Sequence, residues 1–199
     1  VEFADHREYV PGDDLKYLDW ALYARTDNFY IKRFEEETNL RGYLVLDISG
    51  SMDYAGKGRL SKSTYAKMVC ASLAYLMLMQ RDSVGLFTFA EKIHHYVPPR
   101  AKASHLEALS DSLVSAGTGP ETALEPALAD IAERIRRRGL VILVSDLIDE
   151  PSQVLRGLQL LKHRKHDLIL IHLLDPDEVE LPFRGVVRFK DPESGVELL

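Results

Sequence analysis

A doubly wound α/β fold is predicted for this chain of 199 residues, with a mostly parallel sheet, one antiparallel edge strand and a small N-terminal appendage. Three observations carry that expectation. Apolar runs of strand length alternate with longer stretches of helical periodicity. Two of those runs end abruptly in a carboxylate, Tyr43-Leu44-Val45-Leu46-Asp47 and Leu140-Val141-Ile142-Leu143-Val144-Ser145-Asp146. One pair of runs, Ser83 to Phe89 and Ile93 to Val97, is separated by only Ala90-Glu91-Lys92, too short for a parallel crossover, so it reads as an antiparallel hairpin.

The composition sets the bounds. A hydrophobic fraction of 46% and a charged fraction of 28% are ordinary for a soluble globular chain. A net charge of −6 argues against nonspecific nucleic-acid binding, which needs a basic face. The single cysteine, Cys70, excludes an internal disulfide and a zinc site built from several thiolates. No run of about 18 apolar residues suggests a membrane span, and no signal peptide is visible. A cytoplasmic location is expected. The chain opens on Val1 rather than Met, which predicts trimming, with flanks able to carry an anchor.

Taken in order, residues 1–40 form the appendage and residues 41–199 the main domain. Arg7-Glu8-Tyr9-Val10-Pro11-Gly12-Asp13-Asp14 contains a Pro-Gly turn. Leu15, Leu18 and Leu22 recur at helical spacing around Trp20, and residues 28–34 alternate as a strand. Glu35-Glu36-Glu37 reads as a solvated strand end or as a docking surface. The segment is too small for its own core, so it should pack on the main sheet or extend it as a hairpin. The Asp47 strand is followed by a glycine-bearing loop over residues 53–60.

Ser61 is a plausible N-cap for a helix to about residue 81. Two apolar stripes, Val69-Leu73-Leu76 and Ala66-Cys70-Ala74-Leu78, predict that it is deeply buried, with Met77 and Met79 filling core. His94 and His95 point to opposite faces of the hairpin, and Pro98-Pro99 should end it. Ser104 to Glu107 has the capping-box pattern. Ala116-Gly117-Thr118-Gly119-Pro120-Glu121-Thr122 is a loop, and Pro126 requires the next helix to begin near Glu125. Arg134 and Arg136 to Arg138 close that helix as a solvated end or an anion site. After the Asp146 strand, Asp149 or Glu150 with Pro151 starts another helix, and residues 167–174 form the last strong strand. His163 and His166 lack a third zinc ligand nearby, and His172 is a packed strand histidine. Asp175-Pro176-Asp177 reads as a turn, and Val186 to Phe189 as a weak edge strand.

The chemistry concentrates at the strand ends. In an open α/β sheet, ligands bind beyond the carboxyl ends of the strands. Asp47 sits there, with Ser49 and Ser51 in the loop beyond. Three oxygen donors on one turn suit a hard cation, Mg²⁺ or Mn²⁺, better than Zn²⁺. The alternative is a strand end whose Asp only caps a helix. In the Rossmann order the Asp47 and Asp146 strands become neighbours, and their carboxylates would converge with Ser49, Ser51 and the Thr118 loop. Two buried carboxylates without a cation repel and raise one pKa.

These residues resemble the metal-ion-dependent adhesion site of von Willebrand factor A domains: Asp47-x-Ser49-x-Ser51, the Gly117-Thr118 loop and the strand-end Asp146. The resemblance covers residues 43 to about 175. It implies a von Willebrand A-like fold, with Asp47, Ser49, Ser51, Thr118 and Asp146 as direct or water-mediated ligands of Mg²⁺ or Mn²⁺. It also implies a protein partner that completes the metal's shell with an Asp or Glu. Gly-Pro-Glu stands between Thr118 and a second threonine, Thr122, so either threonine is a candidate ligand. Upstream, Arg7 to Asp14, then Asp19-Trp20 and Ala24-Arg25-Thr26, is similar to the signature of the bacterial family called domain of unknown function 58. That similarity implies a MoxR-type AAA ATPase as partner and a role in protein assembly or maturation.

A binding module rather than an enzyme is therefore expected. Gly50 to Lys57 has five intervening residues where a phosphate-binding loop has four, and Gly58 replaces the metal-holding Ser or Thr. The dinucleotide and hydrolase-elbow glycine patterns are absent. The rival is a metal-dependent phosphohydrolase using Asp47 and Asp146, with Asp53 or Asp149 as base.

Overall fold

The computed structural model describes residues 2–35, 40–119, 123–190 and 196–198. It divides into two compact units, Val1–Asn39 and Leu40–Leu199. In the first, β1 (Glu2–Glu8) pairs antiparallel with β2 (Tyr30–Glu35), and α1 (Trp20–Thr26) lies between them in sequence. The two strands pair with each other rather than joining the larger sheet. Asp19 organises this unit. Its Oδ1 accepts the Ala21 and Leu22 N–H groups, capping α1, and its Oδ2 meets His6 Nε2 at 2.9 Å and Lys32 Nζ at 3.4 Å. His6 and the Leu22 N–H hold the Asp19 carboxyl down to about 2. Arg7 pairs with Asp13 at 2.7 Å, and Asp13 also accepts the Val10 N–H. The signature residues that could be read from sequence thus close a turn and cap a helix. Glu36 and Glu37 of the acidic triplet lie outside the described residues.

In the second unit the chain runs β3 (Arg41–Asp47), α2 (Lys62–Met79), β4 (Ser83–Phe89), β5 (Ile93–Arg100), α3 (His105–Ser115), α4 (Leu124–Arg134), β6 (Leu140–Ser145), α5 (Pro151–His163) and β7 (Asp167–His172). The sheet order is β5-β4-β3-β6-β7. All neighbours are parallel except β4 with β5. The sheet is mixed but mostly parallel, as expected. It is covered on both faces, which is why β3 is apolar from Gly42 to Leu46 and β6 from Leu140 to Val144. Leu44, Leu46, Val84, Leu86, Ile142 and Val144 pack with α2 and α3, while Val45, Phe87, Leu143 and their alternates pack with α4 and α5.

Several local expectations need correction. α2 buries Ala66, Cys70, Ala74 and Met77, but Leu76 is 55% and Met79 65% exposed. The Ala66-Cys70-Ala74-Leu78 stripe is buried, while the other is only partly so: Leu73 packs against the core and Leu76 does not. Cys70 is fully buried, and burial pushes its thiol up to about 12, which leaves it unreactive. β5 does not stop at the prolines but runs through Pro98 and Pro99 to Arg100. An edge strand tolerates this at an irregularity: the β4–β5 register shifts between Val84↔Arg100 and Leu86↔Val97, so the ladder is already interrupted where the prolines lie. Gly85 lets the backbones close there, since a Cβ would sit 2.9 Å from the Val97 carbonyl oxygen. Ser104 precedes α3 without a capping hydrogen bond, whereas Ser61 caps α2 through the Thr64 N–H. α5 has no side-chain cap, and Asp149 instead accepts the first N–H of α4, that of Leu124, at 2.9 Å. After β7 come α6 (Pro176–Glu180) and a two-residue ladder of β8 (Phe189–Lys190) with β9 (Glu197–Leu198), so residues 186–189 add no edge to the main sheet.

Candidate metal centre

β3 and β4 stay paired up to Asp47 opposite Phe89, and the Ile48 N–H still reaches the Phe89 carbonyl at 2.8 Å. The chain then leaves the sheet as a short 3₁₀ turn, Gly50–Asp53, with Met52 fully buried beneath it. Asp47, Ser49 and Ser51 are all buried, at 0%, 0% and 2% exposure. The Ser49 N–H donates to Asp47 Oδ1 at 2.9 Å, and the Ser145 hydroxyl donates to Oδ2 at 2.6 Å. The Ser49 and Ser51 hydroxyls lie 3.1 Å apart. Among the described residues, no cation pairs with Asp47. Burial pushes its carboxyl up to about 6, the Ser145 and Ser49 donors pull the other way, and the nearby Asp146 charge adds to the rise.

The threonine loop is brought to the same rim. The Gly119 N–H donates to the Ile48 carbonyl at 2.6 Å, and Lys67 Nζ donates to the Ala116 carbonyl at 2.6 Å. Gly119 must be glycine, because a Cβ would meet the Ala90 Cβ at 2.4 Å. Thr118 is exposed, and its hydroxyl donates to Asp53 Oδ2. Thr122, the second candidate, lies outside the described residues.

Asp146 comes from the adjacent strand end. β6 pairs with β3 up to Leu46 opposite Val144, and Asp146 follows Ser145 just past the sheet. Its carboxylate does not stand free. Oδ2 accepts Lys62 Nζ at 2.8 Å, and Oδ1 accepts the Ile148 N–H at 3.3 Å. His172 Nε2 donates to the Asp146 carbonyl at 3.0 Å. Lys62 is the first residue of α2 and is 5% exposed. Its ammonium also meets Glu178 Oε1 at 2.5 Å. Glu178 belongs to α6, whose capping box with Asp175 is complete. Asp175 accepts both Arg59 and the Gly56 N–H, and Asp177 accepts the Tyr54 hydroxyl. α6 is thus bound to the loop that precedes Lys62.

Asp47, Ser49, Ser51 and Asp146 therefore share one rim, with Thr118 tied to Asp53 beside them. Sequence reasoning missed Lys62, Ser145 and Glu178. No group of three or more His, Cys, Asp or Glu side chains is placed to hold a metal among the described residues. The donor set is instead two carboxylates with hydroxyls, a set that suits a hard cation. A buried carboxylate raised by desolvation, next to two buried hydroxyls, is an environment that an added cation would relieve. The residues present fit Mg²⁺ or Mn²⁺ on chemistry, with Asp146 already partly neutralised by Lys62.

Over 198 residues the chain is 30% identical to uncharacterised proteins of Mycobacterium bovis and Mycobacterium tuberculosis, covering 98% of this chain and 62% of each relative. The chain thus spans less than two thirds of those relatives' length. Among solved structures it is similar to BatB from Bacteroides thetaiotaomicron, with a TM-score of 0.55 and 18% identity over 67% of this chain and 66% of that one. It is also similar to an aerotolerance-related membrane protein from Bacteroides fragilis, with a TM-score of 0.59 and 18% identity over 80% of each chain. At that identity the likeness concerns the fold. No helix among the described residues is long and apolar enough to cross a membrane. Residues 5–199 match the family described as protein of unknown function DUF58, and the chain belongs to that family.

Proposed function

We propose that the second unit is a protein-interaction domain of the von Willebrand factor A type, which takes Mg²⁺ or Mn²⁺ at Asp47, Ser49, Ser51, Thr118 and Asp146. The observation that carries this reading is the buried Asp47 carboxylate, satisfied by neutral donors and adjoining the Ser49 and Ser51 hydroxyls. A bound cation would supply an electrophilic position for an outside carboxylate. Asp47 and Ser145 fix the orientation of the buried oxygens, the 3₁₀ turn presents the serine hydroxyls, and Lys67 with Gly119 holds the threonine loop at the rim. The partner's contribution is an Asp or Glu side chain. A MoxR-type AAA ATPase as that partner, in protein assembly or maturation, is supported by the resemblance of the N-terminal signature alone.

The engagement of the two candidate bases supports the binding reading over the catalytic one. Asp149 caps α4, and Asp53 accepts the Thr118 hydroxyl, so both are engaged. Calorimetric titration of Mn²⁺ into the wild type and Asp47→Ala tests the proposal. Saturable heat in the wild type that is lost in the variant supports it; equal heats in both, or none in the wild type, overturn it. A pull-down with and without chelator then identifies the partner.

A further inference from the structure

Lys62 stands in an unusual place for a lysine. It opens α2, directly after the Ser61 cap, where the helix dipole disfavours a cation. Its side chain is 4% exposed, and that of its partner Asp146 is 1% exposed. A buried ammonium persists only when carboxylates compensate its lost hydration. Here two do so: Asp146 at the candidate site and Glu178 on α6. The Tyr54 ring lies 6.0 Å from the same ammonium. Nothing in α2 itself calls for a cation at that position, whereas the strand-end carboxylates do.

We propose that Lys62 is a built-in competitor of the divalent cation for Asp146, and that Glu178 sets how firmly Lys62 competes. The proposal rests on the metal reading above and deepens it. A divalent ion on the Asp47 side would share the Asp146 carboxylate with an ammonium already 2.8 Å from one of its oxygens. The two positive charges repel, so uptake of the ion is weakened unless the ammonium lets go of Asp146 and keeps Glu178. Glu178 is placed to retain it, because α6 is fastened to residues 54–59 through Asp175 and Asp177. Lys62 acts through Asp146 and is a positioning residue. Any event that moves α6 is transmitted to the metal through this one side chain.

The test is Mn²⁺ calorimetry on the full chain, comparing wild type, Lys62→Met and Glu178→Gln, with circular dichroism to verify folding. Removing the ammonium should tighten Mn²⁺ binding roughly tenfold, through loss of one nearby like charge. Glu178→Gln should weaken it about threefold, because Lys62 is then held by Asp146 alone. A merely structural role predicts the reverse for Lys62→Met, since loosening the site lowers affinity. Equal or weaker binding by folded Lys62→Met, with the wild type binding normally, overturns the role of Lys62 and leaves the metal reading intact. If Lys62→Met does not fold, Glu178→Gln decides: weaker binding supports the proposal, and equal or tighter binding overturns it. Absence of heat in all variants overturns the metal reading and the competition together.

Discussion

The two strand ends at the candidate site carry the same sequence theme and solve the same electrostatic problem in opposite ways. At the end of β3, Asp47 is buried and held by neutral donors alone, the Ser49 N–H and the Ser145 hydroxyl. Beyond β6, Asp146 is equally buried but carries its own counter-ion, Lys62. Desolvation therefore lifts the Asp47 carboxyl, while Asp146 has its charge balanced within the fold. An apolar run ending in an aspartate does not determine the state of that aspartate. A residue arriving from a distant helix does.

Substitutions that disturb one end and spare the other sharpen this contrast. The largest effect is expected for Lys62→Met, which leaves Asp146 buried without its cation and should lower stability by about 3–5 kcal/mol in chelator, read by urea unfolding. Adding Asp146→Asn to it should recover most of that loss; if it recovers nothing, the pair is not what balances this end. Asp47→Asn should behave oppositely. With a folded carboxyl near 6 against 3.8 unfolded, the native state binds the proton more tightly, so metal-free stability falls as pH rises from about 4 to about 6 and levels off above, by about 3 kcal/mol. Unfolding curves across that range should show the slope in the wild type and not in Asp47→Asn. A wild type without the slope would mean that Asp47 is balanced after all.

Ser145→Ala removes one of the two donors to Asp47 and should cost about 1–2 kcal/mol by the same measurement, with the pH-dependent loss extending to higher pH. The smallest structural effect is expected for Thr118→Val. Thr118 is exposed, so stability should change by less than about 0.5 kcal/mol. Mn²⁺ affinity should nevertheless drop, by about tenfold in calorimetry, if Thr118 is a ligand. Unchanged affinity would remove Thr118 from the site.

The sheet was legible because burial on both faces writes itself into β3 and β6 as uninterrupted apolar runs. The neighbouring positions of Asp47 and Asp146 followed from the crossover rules. β1 left no such trace: only Phe3 and Ala4 of its seven residues are apolar, and the strand exists through its pairing with β2. Lys62 was invisible for a different reason, since its partner Asp146 lies 84 residues away and no local pattern links them. Ser145 offered a faint clue, a hydroxyl beside a strand-end carboxylate. α6 offered a clearer one: Asp175 and Glu178 have capping-box spacing, although Asp175-Pro176-Asp177 reads first as a turn.

The two margins of the sheet have unequal consequences for how the protein survives concentration. Along β5 the Pro98-Pro99 pair removes a donor and sits at a register shift, which blunts that margin against templated aggregation. β7 has no such guard, and Ile169 and Leu170 on it are 46% and 39% exposed. Should the sheet ever recruit another chain, the growing end is expected at β7, and a lysine or proline placed there would be the natural remedy for a preparation that clumps.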